Sequence, residues 1–143
     1  MNFASRIGYH NYEARIPDSR LKGRRDMGTW ETIRKIYEKK REKREELRRR
    51  MIRKVLKALD RLSENVEFEE AVIFGSIVKP FCFTELSDVD VAFKGLERDK
   101  LFYAAAFLSD EIGRDVDVVE LESIRFADRI TREGLRWRRG SSC

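Results

Sequence analysis

Apolar residues recur at helical spacing through residues 29–62, but they fall into two separate groups. Trp30, Ile33, Ile36 and Tyr37 form the first, and Leu47, Met51, Val55, Ala58, Leu59 and Leu62 form the second. Between them, residues 38–46 contain no apolar side chain. A helical segment that is polar on every side has nothing to bury. The pattern therefore predicts one helix over 29–62, capped by Thr29 and about 50 Å long at 1.5 Å per residue. Its second half is expected to pack on a domain, and its first half to project or meet another chain. Four large apolar residues on a projecting helix also suggest self-association or folding back through Trp30, Ile33, Ile36 and Tyr37.

The flanking regions read differently. Residues 1–28 carry Gly8, Pro17, Gly23 and Gly28 with no sustained period, which predicts an irregular arm. His10, the only histidine, lies there beside Tyr9 and Tyr12 and is expected to be a surface residue. After the helix the period changes. Strands are expected at 70–74, 89–93 and 116–119, with an edge strand at 135–137. Helices are expected at 101–112, with Phe102, Ala105, Ala106 and Ile112 in the core and Gly113 at its end, and from Ser123 as cap to about 132. The alternation predicts an α/β (α+β) domain, a small mixed β-sheet flanked by helices, with the long basic helix before it. The expected divisions are an arm at 1–28, a charged helix at 29–46 and the domain at 47–140.

Composition narrows the partners. Charged residues make up 40% of the 143, well above the roughly 25% usual in globular domains. The net charge of +5 favours anionic partners. Much of the basic charge lies in residues 34–54, where Glu38, Glu42, Glu45 and Glu46 are interleaved at i,i+4 distances. That stretch reads as a solvated helix held by ion pairs, or alternatively as an RNA contact surface. Cys82 and Cys143 form no paired motif, which argues against a zinc site or disulfide framework. No apolar run approaches the roughly 18 residues of a membrane span, and no signal-like segment opens the chain. The expectation is a cytoplasmic protein without a membrane partner.

The chemistry concentrates in residues 74–91 and at 117. A buried strand delivers Gly75 and Ser76, where glycine permits a sharp turn and close ligand approach. Ser87 then precedes Asp88 and Asp90, which share one face of the following strand because residues i and i+2 point the same way. Adjacent carboxylates repel, so the pair implies a cation, and all-oxygen donors suit Mg²⁺ completed by phosphates and water. Asp117 sits inside the next apolar strand and joins the same site if the two strands are neighbours. Each piece alone is common, since Asp115-Val-Asp117 repeats the spacing and Gly140-Ser141 repeats the dipeptide. The ordered combination is far more specific.

That combination resembles the polymerase-beta-like nucleotidyltransferases, in particular the minimal nucleotidyltransferases of prokaryotes, over roughly residues 47–138. Ile130-Thr-Arg-Glu-Gly134 resembles the family's terminal helix and turn. The resemblance implies Mg²⁺-dependent transfer of a nucleoside monophosphate from ATP or another triphosphate to an acceptor hydroxyl. Asp88, Asp90 and Asp117 would be the catalytic and metal-binding residues, holding two Mg²⁺ ions when the nucleotide is bound. Gly75, Ser76, Lys79 and Ser87 would bind the nucleotide. Such proteins often pair with a helical HEPN partner as toxin–antitoxin systems, which makes a partner protein the first candidate acceptor. One departure stands out. Relatives often carry arginines just after Gly-Ser, whereas this chain has Ile77-Val-Lys79-Pro80. The competing reading is an inactive relative that binds RNA or protein through the basic helix.

Overall fold

A computed structural model describes residues 25–139, with side chains from Thr29 onward. The chain divides into two compact units, Met1–Lys40 and Arg41–Cys143. Helix α1 runs Arg25–Leu62. It therefore begins before Thr29, which lies inside the helix and does not cap it. Gly28 did not stop it: a single glycine costs a helix only about 1 kcal/mol, which its neighbours offset. The predicted arm thus ends sooner than 28, and its remainder, with His10, lies outside the described residues. In the first unit Trp30, Ile36 and Tyr37 are exposed and Ile33 is half-buried.

The second unit is built on a four-stranded sheet, β1 (Glu70–Phe74), β2 (Val89–Lys94), β3 (Val116–Glu120) and β4 (Leu135–Arg138), in the order β3-β2-β1-β4. β1 is antiparallel to both β2 and β4, while β2 and β3 are parallel. Parallel neighbours need a crossover, and helix α2 (Leu101–Ile112) supplies it. Gly113 closes α2 in the left-handed conformation, as its position suggested.

Alternation along the strands separates two cores. On one face Ala71, Ile73, Val89, Val91, Phe93 and Trp137 pack with Val55, Leu59 and Leu62 of α1 and with Ala104, Leu108 and Ile112 of α2. On the other, a smaller cluster of Val72, Ala92, Leu121 and Ile130 sits beneath helix α3 (Ala127–Glu133). Two expectations are corrected here. The buried stripe of α2 runs through Ala104, Leu108 and Ile112. Phe102 is 90% exposed, Ala106 is exposed and Ala105 only half-buried. The stripe continues from the partly buried Leu101, a position adjacent to Phe102 and so about 100° away around the helix. Nor does Ser123 cap a helix. It closes a short 3-10 turn, Leu121–Ser123, and its hydroxyl donates to Glu120 at 3.1 Å, so α3 starts only at Ala127.

Polar links fasten the sheet's far end. Glu70 is buried and accepts two bonds from Arg136 at 2.9 and 3.2 Å, which hold its carboxyl below the usual range. Trp137 Nε1 donates to Asp60 at 2.8 Å, tying β4 to α1. No helix among the described residues is long and apolar enough to cross a membrane.

Candidate active site

The strand register assembles the acidic residues. Phe74 of β1 lies opposite Asp90 of β2, and Asp90 lies opposite Asp117 of β3, so the three form one transverse row. Asp90 shares the sheet face of Ala92, beneath α3, and Asp117 shares that of Val119. Asp88, two residues before Asp90, is close enough to act on it electrostatically, as is Asp117. Asp90 is half-buried, while Asp88 and Asp117 are exposed. Burial above all, then repulsion from Asp117 and Asp88, pushes the Asp90 carboxyl up to about 6.

The Gly75-Ser76 turn abuts this row. Gly75 opens a short 3-10 helix, Gly75–Val78, with φ +88, in the region that favours glycine. A Cβ there would lie well inside contact distance of Asp90 Oδ2. Asp90 therefore packs directly on the glycine Cα, and only a residue without a side chain lets the turn and the carboxylate meet. Ser76 is half-buried, and among the described residues its hydroxyl has no hydrogen-bond partner.

The segment between the turn and Asp88 is held at both ends. Ile77 and Phe83 are fully buried, so the loop's apolar character belongs to the core. At its start, Arg48 of α1 donates to Ile77 O at 3.0 Å while pairing with Glu45. Glu45 also accepts the Phe81 N–H at 2.6 Å, and Arg48 and Phe81 together keep its carboxyl lowered. Phe81 has φ +65, rare for an aromatic residue, and Arg41 lies 4.3 Å from its ring centre. Arg41 and Arg48, two members of the basic stretch, thus serve the loop. At its end, Arg114 Nη1 donates to the carbonyls of Thr84 (3.1 Å), Glu85 (3.0 Å) and Ser87 (2.8 Å), with its guanidinium 5.0 Å from the Phe83 ring centre. The Ser87 hydroxyl accepts from the Thr84 N–H at 2.9 Å and so is built into the loop. Removing the guanidinium with Arg114→Ala leaves three carbonyls without their donor just before Asp88. The expected loss is about 1.5–3 kcal/mol of stability by urea denaturation, partly restored by Arg114→Lys. An unchanged midpoint would show that the clamp contributes nothing.

Beside the turn, a pocket of about 440 Å³ opens against α3. Gly75 and Lys79 line one side, and Phe126 and Arg129 the other. Arg129 escaped the sequence reading because it is an ordinary exposed position on a short helix, brought to Gly75 only by the fold. Glu45 and Arg48 read as members of the ion-paired basic helix and Arg114 as an ordinary residue after α2, and only the fold brings them to the loop. A larger cavity, about 890 Å³, lies at the opposite end of β2, beside Gly95, Glu97 and Lys100, away from the carboxylates.

Among the described residues, no three His, Cys, Asp or Glu side chains form a ready-made metal cage. Mg²⁺ does not require one, because it takes one or two carboxylates and completes its shell with substrate phosphates and water. The donor set fits that ion: it is all oxygen, and a cation would offset the burial and the repulsion from Asp117 and Asp88 that raise the Asp90 carboxyl.

A sheet with this register, a Gly-Ser turn and a row of carboxylates define a class of phosphoryl-transfer domain. The family model described as polymerase beta, nucleotidyltransferase, matches residues 56–136, and the chain belongs to that family. It is also similar in fold to a solved structure titled "Crystal structure of the toxin-antitoxin with AMP-PNP", with 20% identity and a TM-score of 0.50 over 59% of this chain and 74% of the other. No curated protein matches the chain.

Proposed function

We infer that the chain transfers a nucleoside monophosphate from a nucleoside triphosphate, ATP first among them, to an acceptor hydroxyl. The supporting observation is the row of Asp90 and Asp117 in register, with Asp88 beside it, facing the Gly75-Ser76 turn. Mg²⁺, when bound, would screen the charge gathered by the triphosphate and the carboxylates and polarise the reacting phosphate. Asp88 and Asp90 are the residues to hold it, with Asp117 as the third oxygen donor. The turn positions the phosphates through its backbone amides and the Ser76 hydroxyl. Lys79 and Ser87 stand at the two ends of the loop that carries the site. Asp117 lies on an edge strand and is exposed, which suits it to receive the proton of an incoming hydroxyl. The new bond joins that oxygen to the α-phosphorus, the α–β bridge breaks, and pyrophosphate leaves.

A protein hydroxyl is the acceptor we favour. The structural neighbour is titled as a toxin–antitoxin with AMP-PNP, and a protein partner fits a chain with exposed Trp30, Ile36 and Tyr37. Incubation with α-labelled ATP, Mg²⁺ and a candidate partner should place label on the partner and release pyrophosphate. Absence of transfer to protein, RNA and small-molecule acceptors alike would refute the enzymatic reading.

A further inference from the structure

The sheet holds Asp90 and Asp117, but it does not hold Asp88. Asp90 and Asp117 are register partners on β2 and β3. Asp88 precedes β2, which begins at Val89, so no strand pairing fixes its backbone. Mg²⁺ demands near-ideal octahedral geometry, and a ligand set of that kind has to be held to within about 0.5 Å. Contacts outside the sheet must therefore set Asp88.

Arg114 is placed to make them. Its shortest bond to the loop, from Nη1 to Ser87 O at 2.8 Å, falls on the peptide unit that also carries the Asp88 N–H. That unit is planar, so holding its oxygen fixes the plane from which Asp88 departs. The bonds to Thr84 O and Glu85 O, at 3.1 and 3.0 Å, hold the preceding turn. The Ser87 N–H closes that turn on Thr84 O at 3.1 Å. Arg114 is anchored on its own side as well, in the segment that leads into Asp117. Its N–H donates to Ser109 O at 3.3 Å, and the Val116 N–H donates to Ser109 Oγ at 3.1 Å. Asp115 O accepts from the Val89 N–H at 3.1 Å. One side chain thus links the approach to Asp117 with the approach to Asp88. Among the described residues Arg114 makes no ion pair, so its hold on the site runs through backbone carbonyls. We propose that Arg114 is the positioning residue for Asp88, setting that carboxylate against Asp117 for the metal ion, an assignment that rests on the nucleotidyltransferase reading above.

The test is calorimetric titration of the full chain with ATP over a range of Mg²⁺ concentrations. Arg114→Ala should need about ten- to hundredfold more Mg²⁺ for half-maximal ATP affinity, and should approach the parent once the ion is in large excess. Arg114→Met keeps an apolar stem beside Phe83 but no donor. It should behave the same, and it serves if the alanine variant does not fold. Arg114→Lys returns an ammonium donor to the carbonyls and should lie in between. Trp137→Phe gives up the bond to Asp60 at the far end of the sheet, and should be destabilised yet keep the parent's Mg²⁺ requirement. An unchanged requirement in the folded alanine or methionine variant overturns the assignment and leaves the enzymatic reading standing. So does an affinity lowered equally at every Mg²⁺ concentration, or the same shift in Trp137→Phe. A parent protein that binds no ATP in Mg²⁺ overturns both.

Discussion

Asp88→Asn combined with Asp90→Asn should abolish magnesium-dependent triphosphate binding while leaving the domain folded and, at neutral pH, more stable than the parent. Asp90 is half-buried beside two carboxylates, and its carboxyl is raised from 3.8 to about 6. Between those two values the folded, metal-free protein keeps a proton that the unfolded chain has released. Stability should therefore fall as pH climbs from about 4 to about 6 and stay lower above it. Reduced for solvent screening, the ionised carboxylate costs the metal-free fold on the order of 1 kcal/mol. The double variant lacks that slope. Urea denaturation of both proteins at pH 4.5 and 7.5, in chelator, should show them converging at the acid end and separating at the neutral end. Retained magnesium-dependent binding would remove the assigned site, and parallel pH profiles would remove the electrostatic account of Asp90.

Gly75→Ala should be nearly as damaging by a different route. The position has φ +88, and a methyl group there collides with Asp90 Oδ2. Backbone strain of this kind costs roughly 1–3 kcal/mol. Moving Asp90 by even about 1 Å should cost about a hundredfold in transfer rate. Gly113 provides the matched control. Its φ is +72, yet an added Cβ meets nothing within 4 Å. Gly113→Ala should lose about 1–2 kcal/mol of stability from backbone strain alone and keep its activity. If the two variants lose activity equally, the close packing of glycine on carboxylate is not what positions Asp90.

What could be read from the sequence followed from periodicity and local chemistry. β1 and α2 have the bounds expected from a short apolar run and from a helical segment closed by Gly113. Asp90 and Asp117 stand out in the sequence as carboxylates inside apolar strands, and Asp88 as the residue two before Asp90, which the structure places just ahead of β2. The failures are equally physical. Phe102 looked like core because it is aromatic, but the buried stripe passes through its neighbour Leu101. Ser123 has the chemistry of a cap, yet its hydroxyl is engaged by Glu120. Ile77 stands where relatives often carry arginine because it belongs to the core, where it is fully buried. Arg48 and Arg114 act through partners distant in sequence, Arg129 only lines a pocket that the fold creates, and no local pattern distinguishes the three from the other arginines.

The strut from Glu45 and Arg48 to Ile77 and Phe81 changes what counts as the smallest working piece of this protein. The family match begins at residue 56, and a fragment cut to that boundary would retain Asp88, Asp90, Asp117 and the whole sheet. It would nonetheless leave behind the two side chains that brace the Gly75–Val78 turn and its loop from outside. The family match thus takes in only the last turns of α1, while the contacts that hold the loop reach further back along the same helix.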